Sequence, residues 1–126
     1  MKLNPDCIRD ILLTVESLPN MQHFYRFDKE TMPILLPNYS IDEVQYHIRQ
    51  CDLNGYLYQV SHFQNGDYTV CDLTPKGHDF LANIRSDTIW NDVKEISAKV
   101  GTKSISALSQ IATGVITALI QHQLGI

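Results

Sequence analysis

Gln45 and Arg49 stand four residues apart, so a helix through them carries both on one face. Gln and Arg are the side chains whose paired polar groups match adenine and guanine edges in a major groove. Tyr46 lies beside them. Asp42 lies one turn earlier, where a carboxylate can accept from cytosine or favour the positive end of the helix. Lys76 follows Thr74-Pro75 in the first turn of a later helix, where free amides and an ammonium group suit a phosphate. The expected contacts to double-stranded DNA are therefore Gln45, Tyr46, Arg49 and Lys76.

Other spacings suggest chemistry that the surroundings argue against. His47 and Cys51, one helical turn apart, can in principle face one ion. Cys51 belongs to an apolar stripe, however, so the pair reads as a hydrogen-bonded imidazole and a packed thiol. His23, His62, His78 and His122 have no close ligand partner, and neither a metal nor a cofactor is expected. His78-Asp79 resembles an acid–base pair, but adjacent helical residues point about 100° apart. There is no nucleophile elbow and no phosphate-cradling glycine loop. His78 is expected to bond a neighbouring carbonyl, Arg85 to pair with Asp87 across a bend, and Trp90 to lie in the core. No catalytic residue emerges, and the chain reads as a non-enzyme.

The elements that must position these residues follow from local signals. Ser40 and Glu43 form a capping box, and Tyr39 and Val44 flank it as a hydrophobic staple. Ile41, Val44, Ile48 and Cys51 then share one helical stripe, and Gly55 stands just past the last turn. Tyr56 to Phe63 is rich in aromatic and β-branched residues, and Tyr68 to Leu73 returns as its partner strand. Asn65-Gly66 between them is a hairpin turn, because both positions tolerate positive φ. Upstream, Asn4-Pro5 opens a first helix whose Ile8, Ile11, Leu12, Val15 and Leu18 form an apolar face. That face packs on the capped helix and leaves Arg9, Asp10 and Glu16 towards water, and Pro19-Asn20 ends the helix. Between residues 21 and 39, Pro33 and Pro37 argue against a regular helix. A short strand or irregular arm is expected there, joining the hairpin edge in place of a supporting helix. Thr74-Pro75 opens the next helix, with Phe80, Leu81 and Ile84 inward. Asp87 caps another helix, carrying Ile89, Val93, Ile96 and Val100, and Gly101 ends it.

The chain has 126 residues and a formal charge of -4, so no strong net attraction to nucleic acid is expected. Three cysteines, far apart inside predicted elements, suggest reduced thiols and a reducing compartment. No basic region followed by a long apolar run marks a signal peptide, and the expected location is cytoplasmic.

The last helix, from Ser104 to about Leu124, has no charged side chain. Leu108, Ile111, Ala112, Val115, Ile116, Leu119 and Ile120 cover much of its circumference. Gln, Ser and Thr interrupt it too often for a membrane span, and it lacks the Lys or Arg of an interfacial anchor. Those seven residues are expected to bury against another copy of the chain.

With these residues in place, the chain resembles a winged-helix-like domain family of unknown function from Firmicutes bacteria and their prophages. Tyr39, Ser40, Glu43, Tyr46 and His47 carry the likeness in the capped helix. Leu73, Thr74, Gly77, His78, Phe80, Leu81, Ile84, Arg85, Asp87 and Trp90 carry it downstream. The resemblance implies a regulatory or mobile-element setting and brings no catalytic residues. The expected fold is α+β: a winged-helix-like domain over 1–86 with a β-hairpin wing, then a helical extension over 87–126. The expected function is a small regulator, of phage or prophage origin, that binds DNA as a homo-oligomer. The alternative is a protein-interaction module on the same frame without DNA affinity.

Overall fold

Local capping sets most of the helix boundaries. Asn4 accepts from the Asp6 amide at 3.1 Å and opens α1 (Pro5–Glu16), with Pro5 at its first position. The computed structural model describes residues 1–18 and 24–126. The stop expected at Pro19-Asn20, and His23, lie outside the described residues. Cys7, Ile8, Ile11, Leu12 and Val15 form the buried face of α1. Asp10 is not simply solvated, because its carboxylate accepts from the Tyr39 hydroxyl at 2.7 Å.

The arm expected upstream of Ser40 forms as β1 (Tyr25–Phe27). A helix forms as well, α2 (Met32–Leu35), where none was expected. Pro33 lies in its first turn, where a missing N–H costs no intrahelical bond. In α3 (Ile41–Leu53) both halves of the capping box are made: Ser40 Oγ accepts from the Glu43 amide at 3.1 Å, and Glu43 accepts from the Ser40 amide at 3.2 Å. Val44, His47, Ile48 and Cys51 are buried, and α3 packs on α1. Gly55 follows with φ 77°.

β2 (Leu57–His62) and β3 (Tyr68–Leu73) pair antiparallel, and β1 pairs with the other edge of β3, giving the order β1-β3-β2. The turn is not the expected two-residue one. Only Gly66 takes a positive φ, at 91°. The Gly66 amide donates to Phe63 O at 3.0 Å, and the Phe63 amide donates to Asp67 O at 2.9 Å. The loop is thus Gln64-Asn65-Gly66, a tight turn closed by one left-handed glycine. It sets His62 opposite Tyr68, whereas a turn on Asn65-Gly66 alone would shift the pairing by one residue. Gln59 has φ 51° in mid-strand, yet the register is the same on both sides of it.

The chain divides into two units, residues 1–78 and 79–126, the divide falling inside α4 (Pro75–Ile84). At the start of α4, Thr74 Oγ1 accepts from the Gly77 amide at 3.0 Å, the cap its sequence predicts. α5 (Asp87–Val100) is capped by Ser86, which accepts from the Ile89 amide at 3.4 Å. The cap is thus one residue earlier than expected, and Asp87 is the first helical residue. Gly101 ends α5 in the left-handed conformation, and Ser104 caps α6 (Ile105–Leu124). α5 and α6 pack together. Among the described residues the fold is thus α+β, with six helices and one small three-stranded antiparallel sheet.

α6 is buried at one end and bare at the other. Ile105, Leu108 and Ala112 are buried, while Leu119 is 44% and Ile120 53% exposed. By length and composition alone it could cross a membrane: 20 residues, mean hydropathy 1.2, 17% of the window buried.

Candidate nucleic-acid interface

Capping of α3 and the three-residue loop together create an open groove of about 310 Å³ in the first unit. Asp42, Gln45, Tyr46 and Arg49 line it from α3, His62, Gly66 and Tyr68 from the hairpin, and Met1 from the N-terminus. Three of the four expected contacts therefore meet in one place. Lys76 is not among the groove's lining residues. Its Nζ donates to the Asn54 carbonyl at 2.9 Å and lies 5.2 Å from the centre of the Tyr56 ring. There it closes the carboxyl end of α3, where a cation meets the negative end of the helix.

The members of the groove are not equally free. Gln45 Nε2 donates to Gly66 O at 2.9 Å, so one N–H of the amide expected to read adenine is engaged with the hairpin tip. A Cβ on Gly66 would come within 2.6 Å of that Nε2, so the contact needs the bare glycine backbone. His62 stacks on Tyr68, with ring centres 4.8 Å apart. Tyr46 meets His47 edge-on at 5.0 Å. Arg49 is exposed and makes no ion pair with any described residue. It is the groove residue with a free multidentate donor.

His47 holds the N-terminal chain to this helix. It is fully buried, its Nε2 accepts from the Asn4 amide at 2.8 Å, and its Nδ1 lies 2.6 Å from Glu43 O. An amide can only donate, so Nε2 is the bare nitrogen and Nδ1 carries the proton. Both ring nitrogens are in use, and Cys51 is a buried thiol, as the stripe predicts. Burial, then the nearby Glu43 and Asp10 carboxylates, push the Cys7 thiol up to about 12. His78 Nε2 lies 3.7 Å from the Asp72 carboxylate, so an acid rather than a carbonyl is its neighbour. Among the described residues no three His, Cys, Asp or Glu side chains are grouped to hold a metal.

The sequence placed no cation at the hairpin tip, but the β1–β3 pairing brings one. Arg26 Nη2 lies 3.2 Å from Asp67, its Nε 3.2 Å from Asp28, and its guanidinium 5.5 Å from the centre of the Phe63 ring. Hydrogen bonds from the Thr31 and Glu30 amides hold the Asp28 carboxyl below its usual range, the Thr31 bond first. One guanidinium between two carboxylates leaves the tip without net positive charge. Met1, His62, Tyr68 and Arg26 were not singled out as site residues from the sequence. Their only signal was the hairpin itself, whose register depends on loop length, and for Arg26 the pairing of a strand 41 residues from Asp67.

A family model described as hypothetical protein (DUF2513) matches residues 2–103. The chain is 30% identical over 127 residues to an uncharacterized protein of Haemophilus influenzae, covering 95% of this chain and 99% of that one. No solved structure matches it.

Proposed function

Because the chain belongs to the family of hypothetical proteins DUF2513, whose model spans the helix and hairpin residues of the groove, we propose a function from the geometry: a small non-enzymatic regulator on a winged-helix frame that binds double-stranded DNA as an oligomer. The order of elements favours that frame. A helix, a strand and the short α2 precede α3, which feeds directly into the β2–β3 hairpin. On this reading α3 is the groove-reading helix and the hairpin is the wing. The observation that carries the proposal is the Gln45–Gly66 bond, which holds wing and helix on either side of a groove into which Arg49 is free to donate. The contact set is accordingly Arg49 and Tyr46, with His62 from the wing. Gln45 and Lys76 act as struts. A phage or prophage origin, which rests on the resemblance, and a cytoplasmic location, which rests on the cysteine pattern, belong to the same proposal.

A second reading, a protein-interaction module without DNA affinity, is favoured by the tip. Arg26 is spent on two carboxylates, Lys76 on a carbonyl, and the net charge is -4.

Fluorescence anisotropy on a random duplex, from low to physiological salt, separates the two. Phosphate contacts make affinity fall steeply as salt rises. Arg49→Ala is expected to weaken binding by about 1–3 kcal/mol. No binding at low salt by an oligomeric sample rejects the DNA reading in favour of the interaction module.

A further inference from the structure

In the second unit, α5 and α6 leave between them an open groove of about 360 Å³. Asp92, Glu95, Ile96 and Lys99 flank it from α5, and Val115, Ala118 and Leu119 from α6. We propose that this face docks on the same face of a second copy of the chain, two α5–α6 pairs closing into a four-helix bundle. The inference does not depend on DNA binding.

The apolar stripe of α6 is continuous, but its own chain covers only the first half. Ile105, Leu108 and Ala112 are at most 3% exposed, whereas Leu119, Ile120 and Leu124 are 44%, 53% and 68% exposed. An amphipathic helix that buries one end of a stripe and bares the other has a partner elsewhere. The charges around the groove say which partner. Lys99 and Glu95 pair at 3.3 Å across one turn, and the remaining flank is Asp92. A basic occupant would find one free carboxylate, and an acidic one would meet repulsion. Anionic lipid would meet Asp92 and no unpaired cation of the groove. The uncharged end of α6 asks for no counter-charge, and it is the surface in this chain that fits. The match is then self-complementary, as a two-fold interface requires.

Of the seven residues expected at an interface, Leu108 and Ala112 are taken up inside the chain, Ile111, Val115 and Ile116 are half-buried, and Leu119 and Ile120 remain bare towards the partner.

The test is sedimentation equilibrium on the full chain. A dimer is expected. Ala118→Glu, placing a charge in the groove at an exposed position, is expected to raise the dissociation constant on the order of 100-fold while circular dichroism stays unchanged. Gln110→Glu, on the polar side of the same helix, is expected to leave it within about threefold. A monomeric native chain overturns the inference, and so does a dimer indifferent to Ala118→Glu. Co-sedimentation of the native chain with phosphatidylcholine vesicles also overturns it, because α6 would then be lipid-bound.

Discussion

At the scale of single residues, His47 shows how a group that looks like a ligand is used as a strut. Each ring nitrogen has one partner, and both partners are backbone atoms on different segments. His47→Ala removes a buried ring and strands the Asn4 amide, so it is expected to destabilise the fold by about 2–4 kcal/mol. Urea denaturation measures that loss, and a change under about 0.5 kcal/mol, the range of surface substitutions, would contradict the role. The buried thiols give a pH signature. Cys7 ionises at about 12 when folded, against an ordinary value of 9.0. Burial chiefly raises Cys51 as well, and burial with the Asp10 hydrogen bond raises Tyr39. Raised values mean that the unfolded chain releases these protons first. Stability is then complete below pH 9 and falls as pH rises towards the folded values. The urea midpoint should therefore drop steadily above pH 9. Native Cys7 and Cys51 should resist a thiol reagent that Cys71, partly exposed, takes up more readily.

At the scale of elements, two glycines decide where the site stands. A Cβ on Gly77 would collide with the Tyr56 carbonyl oxygen, which is backbone and cannot swing aside. Gly77→Ala should push α4 off the start of β2 and destabilise the fold by about 1–3 kcal/mol, read as a lowered melting temperature. Gly66 is left-handed and lies under the Gln45 amide. Gly66→Ala meets a strained backbone as well as a flexible neighbour, so it should cost about 1–2 kcal/mol and free Gln45. Nuclear magnetic resonance would show this as a shift of the Gln45 side-chain amide signals. An unchanged Gln45 signal would mean that the hairpin tip is held by something else.

At the scale of the whole molecule, the proposals concern two separate surfaces, one in each unit. The first unit carries the groove between α3 and the hairpin, and the second carries the bare end of α6. If copies associate through α5 and α6, folding of that unit is linked to assembly, and the melting temperature must rise with protein concentration. A hundredfold dilution that leaves the melting temperature unmoved would count against it.

The sequence alone determined what depends on neighbours a few residues away. The Asn4, Ser40 and Thr74 caps, the left-handed Gly55 and Gly101, the stripe of α3 and the existence of the hairpin all follow from side-chain oxygens, missing Cβ atoms and 3.6-residue periodicity. Tertiary structure decided what depends on distant partners. Whether Gln45 reads a ligand or holds Gly66 depends on a hairpin register set by one extra loop residue. The Arg26–Asp67 pair requires β1 to reach the far edge of β3. Leu108 and Leu119 look alike in the sequence, and only the packing of α5 buries one and bares the other. Propensity acts along the chain, whereas burial and pairing act across space, and a string of residues carries the second only through the first.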